Sequence, residues 1–183
     1  MASNGVEGLS LRKVALKARV SATALYSHFR HKRELLAVLA TQGFDQLSLA
    51  MESEARAAAG TSDAADFDLP ALARGYLNFS LDNAAMFQLM FGREVGNLLD
   101  FPDLVDAGAR CYSIMAECVA RDLRESGSQD SPDIAATAAW SMVHGLSTLV
   151  SDGRVSAKSC GVISTQEMVQ QVCQTLTFYR GAQ

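Results

Sequence analysis

The apolar residues of this chain recur at helical spacing, and nothing in it alternates at the two-residue period of a strand. There is no alternating Val/Ile/Thr run and no Asn-Gly hairpin signal, which would be such a pair set between two strand-like runs. The fold class this predicts is all-α, and the punctuation between stripes sets the helix boundaries. Ser10 is placed to cap a short helix carrying Leu11, Val14, Ala15 and Ala18, an i, i+3, i+4, i+7 stripe. The run Arg19 to Ser21 interrupts it, and Ser21 can cap a second short helix from Ala22 to about Phe29, with Leu25 and Phe29 on one face. A third, longer helix is expected from about His31 to Ala59, stopped by Gly60.

The small and polar stretch from Gly60 to Asp68 reads as a linker. Beyond it, Asp68 and Pro70 open a helix to about Asn83, and Ala84 to Phe91 forms a shorter one that stops at Gly92. Asp100 and Pro102 start another that reaches Ser126-Gly127. Ser131-Pro132 is a cap with proline at the first helical position, for a helix to about Asp152. Ser164-Thr165-Gln166-Glu167 is a capping box opening the last helix, to about Tyr179.

A length of 183 residues suits one domain, or a small module joined to a larger one, and is enough to bury a core without staples. Hydrophobic content of 49% excludes disorder, and only three prolines exclude a Pro-rich rod. Four cysteines without a CxxC or Cys/His pairing suggest neither a zinc site nor a secreted disulfide framework, so no metal or cofactor is expected. Cys111 and Cys118, seven apart on one predicted helix, lie about 10.5 Å apart along its axis, beyond disulfide reach. The first ten residues show no signal peptide, and a cytoplasmic protein is expected. Residues 134–151 contain no charged side chain, but Thr137, Ser141, His144, Ser147 and Thr148 make them too polar for lipid. A helix buried in protein explains the stretch, and no membrane partner is expected.

Charge is unevenly spread. Residues 1–33 carry seven basic side chains against the single acid Glu7, while the other 150 residues carry nine basic and nineteen acidic ones. A basic head on an acidic body suits nucleic-acid contact at one end, although a solvated basic face would look the same.

Two short helices joined by a tight turn make a helix-turn-helix, whose second helix enters the major groove and presents its N-terminal side chains to base edges. Here those are Ala22, Thr23, Tyr26 and Ser27, with Lys32 placed to reach a phosphate. Thr23 can meet a thymine methyl or exchange hydrogen bonds.

The run SLRKVALKARVSATALYSHFRHKRELLAVL resembles the DNA-binding domain of the TetR/AcrR family of one-component regulators, a likeness covering about residues 5 to 45. Further on, AAWSMVHGLSTLVSDGRV and AAMFQLMFGRE are similar to phrases of one TetR regulatory-domain subfamily. The resemblance implies a homodimer whose N-terminal domain binds operator DNA, with a helical body that dimerises and holds a small-molecule inducer. It puts Tyr26, His28 and Lys32 at backbone-contacting positions and Thr23 in the recognition helix. Arg12, Arg19 and Ser21 complete the expected DNA-contacting set. The domain division that follows is 1–45 for the head and 46–183 for the regulatory and dimerisation body.

Two departures from the family pattern stand out. Arg19 occupies a turn position where glycine is usual, at a left-handed cost of about 1 kcal/mol that a phosphate contact would offset. The family's first helix precedes the segment matched here, and only Met1 to Asn4 stand in its place. The faces of Val14, Leu25, Phe29 and Leu36 are therefore expected to be partly uncovered. The alternative function is a truncated dimerisation or ligand-binding module unable to bind DNA on its own.

In the body, Met86, Phe87, Met90 and Phe91 form a soft apolar cluster that can line an inducer pocket with Trp140, Met142 and His144, or simply pack as core. The helices 132–152 and 164–179 are the expected dimer elements. The first is rich in small residues, Ala135, Ala136, Ala138, Ala139 and Gly145, which let another helix approach closely. A helix covered only within its own chain is the rival reading. No GxSxG, HExxH, GxGxxG or phosphate loop is present and the carboxylates are scattered, so no catalytic residue is expected.

Overall fold

The computed structural model describes residues 10–60, 63 and 67–175. Its α-helices are α1 (Leu11–Ala18), α2 (Ala22–His28), α3 (Lys32–Ala59), α4 (Leu69–Asp82), α5 (Ala84–Phe91), α6 (Pro102–Ser126), α7 (Pro132–Ser151) and α8 (Thr165–Gln174), with no strand among the described residues. Short 3-10 turns at Leu98–Asp100 and Lys158–Cys160 add to the helices expected from the apolar stripes. No helix among the described residues is long and apolar enough to cross a membrane. Most of the expected linker (61, 62 and 64–66) and the end of the last helix up to Tyr179 lie outside the described residues.

The caps account for the boundaries. Ser10, Ser21, Asp68 and Ser164 each accept a hydrogen bond from the backbone N–H three residues on, at 3.3, 3.0, 2.7 and 3.1 Å. Each such cap contributes about 1 kcal/mol. Two expected caps differ in detail. Ser131 begins α7 with Pro132 behind it, but its side chain makes no cap bond. Glu167 reaches back to the Ile163 N–H at 3.0 Å, one residue before the capping Ser164, so the box closes on the wider ring.

The chain divides into two compact units. The first takes residues 1–45 and 85–108, and the second takes 46–84 and 109–183. In the first, Leu11 and Ala15 of α1 are buried, as are Leu35, Leu36, Ala40 and Phe44 of α3 and Phe87 and Met90 of α5. The Phe91 ring stands edge-on to Phe44 at 5.3 Å and close to Phe87 at 4.9 Å. Gly43 lets α5 in: a Cβ there would meet the Met90 sulfur at 2.6 Å. Of the faces expected to be uncovered, Val14, Leu25 and Phe29 are half-buried, whereas Leu36 is only 1% exposed.

In the second unit α4 is the central helix. Ten of its fourteen residues are buried, and α7 and α8 pack on it. Full burial of side chains such as Leu72 and Leu77 contributes about 2 kcal/mol each. Gly75 brings α4 against α3, where an added Cβ would lie 2.6 Å from the Met51 Cα. Ala135, Ala136 and Ala139 of α7 are buried within the chain itself. Those small residues therefore serve packing inside the chain rather than contact with a second copy. Cys111, Cys118 and Cys173 are buried free thiols and Cys160 is an exposed one. Burial pushes Cys118 and Cys173 up to about 12, which keeps both protonated.

Candidate nucleic-acid interface and ligand region

The turn between α1 and α2 is a Schellman close. Arg19 is left-handed at φ 56°, its N–H points to the Leu16 carbonyl, and the Val20 N–H reaches the Ala15 carbonyl at 3.0 Å. Arg19 is the only described non-glycine residue with positive φ. This is the conformation implied by the family's usual glycine at this position, and it carries the strain glycine would avoid.

Local chemistry then sets the direction of α2. The Ser21 cap fixes its start, and Ala22, Leu25 and Phe29 turn their half-buried sides inward. Thr23, Tyr26 and Ser27, spaced i, i+3, i+4, share the outer face and are exposed, Tyr26 by 52%. Ser27 also donates to the Ala24 carbonyl at 2.7 Å, so its hydroxyl stays close to the helix surface. Arg12, Arg19, Ser21 and His28 are exposed, and Lys32 is half-buried at the start of α3. All nine residues expected to contact DNA thus lie in one unit, on or beside two short helices. What this face offers is hydroxyls and an aromatic ring surrounded by cations, the chemistry of base edges flanked by phosphates.

Arg33 carries no mark in the sequence that separates it from the other N-terminal cations. It donates through Nε to the Val95 carbonyl at 2.7 Å, pairs with Asp100 at 2.9 Å and lies over the Phe101 ring at 5.6 Å. One of the seven basic residues of the head therefore ties α3 to the segment between α5 and α6. Gly96, at φ +84°, leaves room for it, since a Cβ there would sit 2.8 Å from the guanidinium.

Of the seven residues expected to line a ligand pocket, Met86, Phe87, Met90 and Phe91 belong to the first unit, and Trp140, Met142 and His144 to the second. Phe87 and Met90 are core side chains, while Met142 is exposed on α7. Trp140 and His144 come together around Tyr76, a residue with no local signal of such a role. The Trp140 Nε1–H donates to the Tyr76 hydroxyl at 3.3 Å, and that hydroxyl stands 2.9 Å from His144 Nδ1. Tyr112 packs its ring 5.2 Å from Trp140. Burial raises the Tyr76 pKa, keeping the phenol a donor, and burial lowers that of His144, favouring the neutral ring that can accept. A neutral His144 accepting at Nδ1 carries its proton on Nε2.

Comparison with known proteins agrees with this architecture. Residues 1–39 match the family described as bacterial regulatory proteins, tetR family, and residues 69–176 match the tetracyclin repressor-like C-terminal domain. No curated protein matches the chain. A protein of unknown function from Rhodococcus sp. RHA1 is similar in structure, with a TM-score of 0.76 and 29% identity over 98% of this chain and 87% of its own. The TetR family transcriptional regulator PfmR from Thermus thermophilus shares the fold at a TM-score of 0.67 and 18% identity, covering 97% of this chain and 91% of its own. The N-terminal match means that the DNA-binding domain is present, which removes the main support for a module lacking it. Since the C-terminal match alone spans more than half of the chain, the protein belongs to the tetR family of bacterial regulatory proteins and is a DNA-binding transcriptional regulator, not an enzyme.

Proposed function

We propose that this regulator is a ligand-responsive repressor that binds operator DNA as a homodimer, with α2 reading the major groove. The observation that carries this is the exposed Thr23, Tyr26 and Ser27 face of α2, flanked by Arg12, Arg19, His28 and Lys32. Regulators of the family bind operator DNA and act as dimers, with ligand binding in the C-terminal domain. Residues 1–45 serve as the DNA-reading segment, and 46–183 as the regulatory and dimerisation part. DNA is met in the cytoplasm, where the protein is expected to act.

Dimerisation is assigned to α7 and α8. The outward side of α7 keeps Ile134 71% exposed, with Thr137, Ser141, Met142, Thr148 and Leu149 also uncovered. Gly145 lies among them with open space where a Cβ would be, so a second copy can approach closely there. The exposed side of α8 is polar, with Gln166, Gln170 and Gln174 at i, i+4, i+8, and it suits the rim of such an interface.

The inducer is assigned to the aromatic group of Trp140, Tyr112 and His144 around Tyr76, where a few polar atoms stand among apolar rings. It acts by preferring the DNA-incompetent arrangement of the dimer, and shifting the population from 1:99 to 99:1 takes a preference of about 10⁴-fold.

The test is selection from random duplexes followed by titration at several salt concentrations. Sequence-selective binding that weakens steeply with salt is expected. Binding that shows no preference among duplexes would refute the reading of α2 as a recognition helix.

A further inference from the structure

The first unit holds a groove that shares His28 with the expected DNA-contacting set and no residue with the Tyr76 group. It encloses about 420 Å³ beside the C-terminal end of α2, the exposed side of α3 and the first turn of α6. His28, Phe29, Glu34, Val38, Phe101 and Asp103 are prominent in its wall. The volume falls in the range of small-molecule sites.

Its chemistry is one-sided. Apolar surface comes from Phe29, Val38 and Phe101, while the charged residues of the wall, Glu34, Asp100 and Asp103, are all acidic. Asp100 is engaged by Arg33. Glu34 gives one oxygen, Oε2, to the Arg30 N–H at 2.7 Å and leaves Oε1 open to a further donor. Asp103 has no hydrogen bond or ion pair among the described residues. The N-terminus of α6 would by itself favour an anion, but Asp103 in its first turn supplies that negative charge internally. Two carboxylates with open oxygens beside aromatic rings match a ligand that is both cationic and apolar.

We infer that this groove between α2, α3 and α6 binds a small amphipathic organic cation, such as a lipophilic ammonium or phosphonium ion. The ligand lays its apolar groups on Phe29, Phe101 and Val38 and its charge toward Glu34 and Asp103. His28 and Phe29 end the recognition helix, so an occupant of the groove touches the DNA-reading element directly. That consequence rests on the DNA reading above, while the binding itself does not.

The experiment titrates the full chain with tetraphenylphosphonium, using tetraphenylborate as a probe of the same shape and opposite charge. Saturable phosphonium binding is expected, weakened about tenfold by Asp103→Asn and again by Val38→Lys, which sets a cation in the wall. Both positions are exposed, and circular dichroism checks that each variant is folded. Should Val38→Lys fail to fold, Asp103→Asn decides alone. Tetraphenylborate binding should not weaken in Asp103→Asn. Absence of saturable phosphonium binding overturns the inference, as does phosphonium binding that Asp103→Asn leaves unchanged or a response shared by both probes. Loss to Tyr76→Phe instead of the groove variants would locate the cation in the second unit, and also overturns it. A chain that binds the cation but no duplex would refute only the DNA reading, and a chain that binds duplex but not the cation would refute only this inference.

Discussion

The Tyr76 hydroxyl and His144 Nδ1 stand 2.9 Å apart although 68 residues separate them in sequence, and the Trp140 N–H meets the same hydroxyl from α7. One oxygen thus accepts from an indole and shares a hydrogen bond with an imidazole, which joins α4 to α7 by direction as well as by packing. Tyr76→Phe keeps the ring and removes that oxygen, so it should destabilise the fold by about 1–2 kcal/mol. Urea unfolding followed by the fluorescence of Trp140, the single tryptophan, measures this. An unchanged midpoint would mean that the hydroxyl does not hold the two helices together.

The same group predicts a pH dependence. Burial lowers the His144 pKa below its ordinary 6.5, and the neutral Tyr76 and Trp140 are among the groups facing it. Between 6.5 and the lower folded value the unfolded chain binds more protons, so stability rises with pH there. The contribution of neutral His144 is complete above about 6.5 and is lost as pH falls through the folded pKa. Wild type should therefore lose more stability than His144→Gln between pH 7.5 and 5.5. Equal losses in paired urea titrations would show that another group controls the acid limb.

On DNA, Lys32 and Thr23 should behave differently. Lys32→Ala should weaken binding to all duplexes alike and lower the salt slope by about one. Thr23→Ala should change which duplexes are selected, with about 1–3 kcal/mol lost at the base it reads. Binding and selection that survive both substitutions would assign recognition to another surface.

Arg19 gives a prediction with opposite signs for stability and binding. Its φ of 56° costs about 1 kcal/mol that glycine would not incur. Arg19→Gly should therefore raise the stability of the free protein while reducing the salt dependence of duplex binding by about one phosphate contact. Thermal melts and salt titrations on the same preparation read both effects. A variant with weaker folding would contradict the strain argument.

Gly145 separates packing within one chain from packing between chains. A Cβ there meets nothing within one protomer, so Gly145→Ala should stabilise the isolated helix by about 1 kcal/mol. If α7 pairs with its copy at this point, the same methyl should weaken the dimer. Sedimentation equilibrium is expected to show a raised dissociation constant in Gly145→Ala, and an unchanged one would move the interface elsewhere.

Much of the fold was legible before any coordinates, because helix ends are written in a few adjacent residues. Asp68 with Pro70 and Ser164 with Glu167 announce their helices through bonds spanning three or four positions. The face of α2 was legible for the same reason, since Ser21 sets its start and the 3.6-residue period does the rest. The surroundings of the expected pocket residues were not. Met90 and Phe87 look like the lining of a cavity by composition, and the structure buries both, Met90 against Gly43 and Phe87 beside the Phe91 ring. Tyr76 carries no local mark of its partnership with His144, nor Arg33 of its bond to Val95.

What the sequence alone determined is the set of α-helices, most of their caps and the basic face beside α2. These depend on backbone hydrogen bonds and side chains within about one helical turn, so the order of residues is sufficient. Tertiary structure decided how the helices are used. The alanines of α7 went to packing within the chain rather than to a partner helix, Arg33 to a loop rather than to phosphate, and His144 to a buried tyrosine. Each of those outcomes is set by which surfaces meet across tens of residues. A residue's type limits the partners it can satisfy, but only the packed chain determines which of them lies within reach.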